Sequence, residues 1–275
     1  MRLRAAGRAV AVGALLAWSL APAAWQLSTA LKPDAQITKT PAVFLPRPPT
    51  LEHFATLWER KPFGAYLANS LWISTAATLL CLALAAPAAA ALARMAGRAR
   101  DRLLLGFLLV SLFPPILLLF PVYEAVRALG WLNHPLALIV PYAALPLPLA
   151  VWVLEAGLRQ VPDEVEEAAV LDGLGPWARV LRVRLPLAAP SLATAAILVF
   201  IFCWNEFMFA LTFMTRDRGK TVTAGIASVS GASLYDVPWG PLSAAVVLAT
   251  VPLVLLVLLF EKRITSGLTS GAVKG

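Results

Sequence analysis

Leu67-Ala68-Asn69-Ser70-Leu71-Trp72-Ile73-Ser74-Thr75-Ala76-Ala77-Thr78-Leu79-Leu80-Cys81-Leu82-Ala83-Leu84-Ala85-Ala86-Pro87-Ala88-Ala89-Ala90-Ala91-Leu92-Ala93 carries no charge from end to end. A bilayer-spanning helix needs about 20 mostly apolar residues, and this run exceeds that. Directly after it come Arg94, Arg98, Arg100 and Arg102. An apolar run closed by clustered arginines is the signature of a membrane span with its basic end in the cytoplasm. The 275-residue chain as a whole agrees: 60% is hydrophobic, only 14% is charged, and the mean hydropathy is +0.77. Soluble domains carry about 25% charged residues. The net charge of +8 does not indicate nucleic acid, because the basic residues flank apolar runs and form no basic domain. Cys81 and Cys203 both lie in apolar runs, where free cysteine acts as a small hydrophobe; no zinc or disulfide spacing is present.

Six segments have spanning character: 9–31, 67–93, 103–128, 135–157, 187–214 and 241–260. The expected fold is an all-α membrane protein of about six transmembrane helices. Pro114, Pro115, Pro121, Pro141, Pro146 and Pro148 fall in the third and fourth spans. Membrane helices tolerate such sites where neighbours satisfy the freed carbonyls, so kinked helices buried in a bundle are expected. Ala21-Pro22-Ala23-Ala24 resembles a cleavage site, and a removed signal peptide is the alternative for the first segment. The apolar run continues to Leu31 and five more spans follow, which favours a retained helix. With the N-terminus inside, 14 of the 23 lysines and arginines face the cytoplasm and 9 face out, so both termini are expected to be cytoplasmic. Residues 32–66 hold Pro33, Pro41, Pro46, Pro48, Pro49 and Pro62 and read as an extended external loop. Residues 215–240, with Gly219, Gly225 and Gly231, form a second external loop.

The internal loop between spans four and five runs from Leu158 to Pro186 as helix, glycine turn and helix. Asp163 can cap the first helix with Glu166 three residues on, a capping-box arrangement. Acidic residues crowd its first turn, where the helix dipole favours them. Gly173 and Gly175 permit the positive φ of a helix stop, and Pro176 suits the first position of the next helix. Val170, Leu171, Leu174, Trp177, Val180 and Leu181 give the element an apolar side opposite a charged one. Such a pair lies on a membrane or docks in a partner's groove.

Glu167-Ala168-Ala169, three residues, Gly173, nine residues and Val183-Arg184-Leu185-Pro186 resemble the EAA motif of bacterial ABC importer permeases. Val183 stands where isoleucine is usual. Asn69-Ser70 and Phe202-Cys203-Trp204-Asn205-Glu206-Phe207 resemble segments of the maltose/trehalose-type sugar permeases, and Gly267–Gly275 is similar to their tails. The resemblance implies a permease subunit of an ATP-driven, binding-protein-dependent sugar importer in the bacterial inner membrane. Implied partners are a second homologous permease chain, two ATP-binding subunits, an external solute-binding protein and the sugar. Implied coupling residues are Glu166, Glu167, Ala168, Ala169, Asp172 and Gly173. No cofactor is implied in this chain; ATP and Mg would sit on the ATPase subunits. The chain then divides into 1–66 (first helix and external loop), 67–263 (core permease domain, coupling loop at 158–186) and 264–275 (cytoplasmic tail).

No catalytic constellation is evident, and no enzyme activity is expected. His53 and His134 lie on external loops away from a second ligand type, and no Gly-Lys-Ser/Thr phosphate loop occurs. A carboxylate within a span is costly in lipid, so Glu206 should face the bundle or water. Trp204, Asn205 and Glu206, with Asn69, are candidates for the sugar pathway; the alternative is that Glu206 and Asn205 tie helices together. Glu124 and Glu155 have Arg127 and Arg159 within helical reach and read as structural pairs. The rival functions are an ion-gradient transporter, which tends to show inverted repeats and midplane charges, and a non-transporting assembly factor.

Overall fold

The computed structural model describes residues 2–229 and 237–269, and among them no strand occurs. Gly231 and the tail beyond Thr269 lie outside the described residues. The helices run in chain order as α1 (Arg2–Ala30), α2 (Asp34–Ile37), α3 (Glu52–Arg60), α4 (Phe63–Ala93), α5 (Arg98–Ser111) and α6 (Pro115–Ala128). Then come α7 (Leu136–Ala144), α8 (Leu147–Leu158), α9 (Asp163–Leu171), α10 (Pro176–Arg179), α11 (Leu185–Leu187) and α12 (Ala189–Asn205). The last are α13 (Met208–Phe213), α14 (Val222–Ala227) and α15 (Trp239–Thr269). A π-helical turn over Val180–Arg184 joins α10 to α11.

Three helices are long and apolar enough to span alone: Val10–Ala30, Phe63–Ala93 and Trp239–Phe260. Three bent pairs bring the total to up to six. Two of the breaks fall at prolines. Pro114 is extended and Pro115 opens α6, so α5 and α6 meet at 82°. A proline disfavours helical backbone at the residue before it, which here forces the chain out of the helix. Pro146 stands between α7 and α8, with Pro148 in the first turn of α8, and the two helices meet at 48°. The third break lies at Ala188, where 176–187 and α12 meet at 85°. The 187–214 segment is therefore not one helix: it opens at this bend and breaks again after Asn205.

The chain forms two compact units. The first comprises residues up to Gly64 with Gly225–Pro252. Here the extended-loop expectation for 32–66 is corrected. The segment Glu52–Arg60 holds no proline and forms α3, and α4 already begins at Phe63. His53 is buried rather than on a loop edge. Its Nε2 lies 2.6 Å from the Lys32 carbonyl, and its ring lies where a Cβ on Gly240 would sit. Lys32 is buried with its Nζ 3.9 Å from the Trp25 ring, a cation–π contact that partly replaces water around the charge.

The second unit comprises Ala65–Ala224 with the remainder from Leu253. Its core combines small residues of α4 (Ala77, Cys81, Ala85) with larger ones of α7, α8 and α12 (Leu138, Leu154, Val199). Helices α8 and α12 pack closely along their lengths. Their tightest point is Gly157, whose missing Cβ would overlap the Ser191 side chain. Small residues at such crossings let helix backbones approach in membranes. Cys81 and Cys203 are buried free thiols. The fourth span is buried as expected, but the third is not: α5 buries no residue and α6 only Val126. The Glu155 pairing is also corrected. Its buried carboxylate meets Arg100 Nε at 2.7 Å rather than Arg159. Arg127 and Glu124 pair at 3.9 Å, as read from their spacing.

Candidate functional site

The 158–186 loop folds as helix, turn and bent helix, with one change at its start. No capping box forms. Pro162 occupies the N-cap with extended backbone, Asp163 is already inside the helix, and no side chain caps the end. Asp163, Glu164 and Glu166 do line the first turn, on the favourable end of the dipole. At the other end, Gly173 has φ +79°. Leu174 N–H donates to the Ala169 carbonyl at 3.0 Å and Gly173 N–H to that of Val170 at 2.9 Å. That bond pair is a Schellman stop, which needs a left-handed residue at this position. Gly175 keeps ordinary negative φ and precedes Pro176 at the start of α10.

Glu166 turns inward because three guanidiniums draw it. It lies 3.1 Å from Arg94, 3.4 Å from Arg179 and 3.5 Å from Arg184. Arg184 is 4% exposed, and its terminal nitrogens lie 3.5 Å from the carbonyls of Ala90 and Leu158. The loop is thereby tied to the ends of α4 and α8. A buried charge is tolerated only when paired and hydrogen-bonded, so this cluster fixes the loop's position. Beside it opens a cleft of about 560 Å³ lined by Arg94, Arg159, Glu166, Arg179 and Arg184 among others.

The coupling candidates thus divide by face. Glu166 and Ala169 point inward, whereas Glu167, Ala168, Asp172 and Gly173 are exposed. Leu171 is 88% and Trp177 67% exposed. Two large apolar side chains beside acidic ones form a surface that suits a partner's groove.

The pathway candidates sit at a second place. Glu206 is extended (ψ 132°) and ends α12. Its carboxylate accepts the Tyr142 hydroxyl at 2.6 Å and the N–H groups of Phe209 and Ala210 at 3.0 and 3.2 Å. It therefore caps α13 across a helix break and ties that break to α7. Asn205 is exposed and donates to the Ile201 carbonyl at 2.8 Å. Trp204 is buried and stacks on Phe200 at 5.8 Å. Asn69 donates to the carbonyls of Arg218 and Lys220 at 2.8 and 3.0 Å. Ser70 accepts from Val222 N–H and Thr223 donates to the Glu206 carbonyl, each at 2.7 Å. The 218–223 segment thus links the start of α4 to the break at Glu206. Sequence reasoning missed Tyr142, Ser70, Thr223 and the three arginines, all long-range partners; only the cost of an intramembrane carboxylate signalled that Glu206 must have partners.

Apolar helices in this number, several of them broken, define a multi-pass membrane protein. The chain belongs to the family described as binding-protein-dependent transport system inner membrane component, matched over residues 82–269. It is therefore an inner-membrane permease and not an enzyme. It is 39% identical to the trehalose/maltose transport system permease protein MalG of Thermococcus litoralis, covering 93% of this chain and 92% of the relative. Identity is 37% to the trehalose transport system permease protein SugB of Mycobacterium tuberculosis, covering 95% of this chain and 94% of the relative. It is also 37% to the sulfoquinovosyl glycerol transport system permease protein SmoH of Agrobacterium fabrum, covering 98% and 93%. The fold matches a crystal structure of a bacterial ABC transporter that imports the acidic polysaccharide alginate. The TM-score there is 0.79, over 95% of this chain and 96% of that one, at 20% identity.

Proposed function

We propose that this chain is the permease subunit of an ATP-driven, binding-protein-dependent sugar importer of the trehalose/maltose type, taking di- or oligosaccharides. The carrying observation is the loop at 158–186: a rigidly tied helix that ends on a Schellman turn and presents exposed Glu167, Leu171, Asp172 and Trp177. Two ATP-binding subunits dock there; they bind ATP and Mg, and their closure moves the loop. A second permease chain completes the pathway, and an external binding protein delivers the sugar. Trehalose and maltose are named by two of the relatives. Motion passes from loop to helices because Glu166 and Arg184 join them into one body, as coupling between distant sites requires a shared element with two states. Glu206, Asn205, Trp204 and Asn69 belong to the region that changes access.

Gly173→Asp tests this reading. A Cβ there meets nothing within 4 Å, so the penalty is backbone strain, about 1 kcal/mol or more, placed where the ATPase must grip. The purified complex is expected to lose ATPase subunits and sugar uptake, and residual ATP hydrolysis is expected to lose its dependence on the binding protein. Normal assembly, stimulation and uptake in the variant would remove 158–186 as the coupling element.

The proposal places both termini and residues 94–102 in the cytoplasm and 32–66 outside, with 1–66, 67–263 and 264–275 as functional divisions. Cysteines introduced at Gln36 and Ala99 are expected to react with an impermeant thiol reagent from opposite sides of the membrane. The native cysteines are buried and give low background. Reaction of both from one side would overturn the topology.

A further inference from the structure

The cluster around Glu166 is unbalanced. One carboxylate serves three guanidiniums, and two of these, Arg179 and Arg184, have side chains only 13% and 5% exposed. The buried Nε of Arg179 lacks a hydrogen-bond acceptor among the described residues, and that of Arg184 has only the 3.5 Å ion pair with Glu166, outside hydrogen-bond geometry. Arg159 lines the same cleft and is exposed. Asp163 and Glu167, the other acidic lining residues, are exposed to solvent and neutralise buried cations poorly, because water screens them. The inner wall thus holds positive charge in excess of its carboxylate, with the Arg179 Nε unfilled and the Arg184 contacts all long, at 3.5 Å. Uncompensated buried charge is costly. Guanidiniums present a planar fork that matches phosphate oxygens. A cleft of about 560 Å³ takes a phosphate with a substituent the size of glycerol, well beyond a bare halide.

We propose that this cleft binds a phosphate group, supplied by an anionic lipid headgroup or by a free phosphate ester. Arg159, Arg179 and Arg184 are its donors, and Glu166 is the built-in competitor for the same guanidiniums. Occupancy shifts the arginines from Glu166 to the ligand and loosens the tie that holds α9 to α4 and α8. The inference concerns binding alone and stands apart from the importer reading.

The test uses purified full-length protein in a phosphate-free polyoxyethylene ether detergent, with no sugar or ATP. Glycerol 3-phosphate is titrated by calorimetry, and short-chain phosphatidylglycerol is then used as competitor. Saturable binding is expected. Arg159→Gln and Arg184→Met are each expected to weaken it by about tenfold, the loss of one charge-assisted hydrogen bond. Glu166→Gln is expected to tighten it, whereas a purely structural role for Glu166 predicts weaker binding or none. If the lipid is the source, phosphatidylglycerol competes far more strongly than the free ester; equal competition assigns the site to soluble phosphates. Should Arg184→Met misfold, Arg159→Gln at the exposed rim still decides. Absence of binding by both probes, or binding unchanged in the arginine variants, overturns the proposal. So does weaker binding in Glu166→Gln.

Discussion

Gly157→Ala is expected to lower the yield of folded protein severalfold, and Ser191→Gly in the same chain is expected to restore it. The single methyl of the first change would occupy the space of the Ser191 Cβ and Oγ. The hydroxyl can rotate away, but the Cβ cannot, so α8 and α12 must separate. Overpacking of this kind costs about 1–3 kcal/mol, and it falls on a closely packed helix pair of the second unit. The helices have no hydrophobic drive toward each other in lipid and depend on close packing. Removing the serine side chain gives the new methyl its room, so the double variant is nearly volume-neutral. Yield after extraction and thermal unfolding of the purified protein measure both steps. A single variant as stable as the parent, or a double variant no better than the single, would show that the crossing is looser than described.

Glu206→Ala is expected to destabilise the protein and abolish uptake, whereas Glu206→Gln is expected to keep the yield. The alanine leaves the buried Tyr142 hydroxyl and the N–H groups of Phe209 and Ala210 without their acceptor. Unsatisfied buried groups cost about 1–3 kcal/mol each. Glutamine with its oxygen in the Oε2 position keeps the acceptor for the Tyr142 hydroxyl and the Ala210 N–H and gives up only the bond from Phe209 N–H. Tyr142→Phe removes one of the three bonds and is expected to fall between. Melting temperature and uptake, measured together, separate cap from charge. If Glu206→Gln melts like the parent yet fails to transport, the carboxylate's charge acts directly in the pathway. If Glu206→Ala behaves like the parent in both, Glu206 holds no break together.

The turn at Gly173 was legible because only a residue tolerant of positive φ stops a helix that way, and the glycine falls at the end of an amphipathic run. The same local logic failed at the other end of that helix. Asp163 reads as a cap, but Pro162 takes that position with extended backbone, and Glu166 is drawn to distant arginines. Glu155 shows the limit plainly. Helical spacing pointed to Arg159, while the structure supplies Arg100, 55 positions away. Pairing across helices depends on the bundle, which no window of sequence contains. Prolines announced interruptions in the third and fourth spans but not their angles, since a broken helix is re-aimed by what it packs against. The break at Glu206 has no proline or glycine to mark it. Only the expense of a carboxylate among Phe202, Trp204 and Phe207 hinted at the capped backbone beneath.

The Schellman turn at Gly173 has a kinetic side. Its hydrogen bonds run within the segment's own backbone, and the Glu166 cluster holds the preceding helix from behind. The surface carrying Leu171 and Trp177 is therefore shaped before anything meets it. Ordering a loop on contact would cost about 0.5–1.5 kcal/mol for each immobilised side chain. A preformed surface avoids most of that loss, so whatever docks there engages at a rate set by encounter and orientation rather than by folding of the loop.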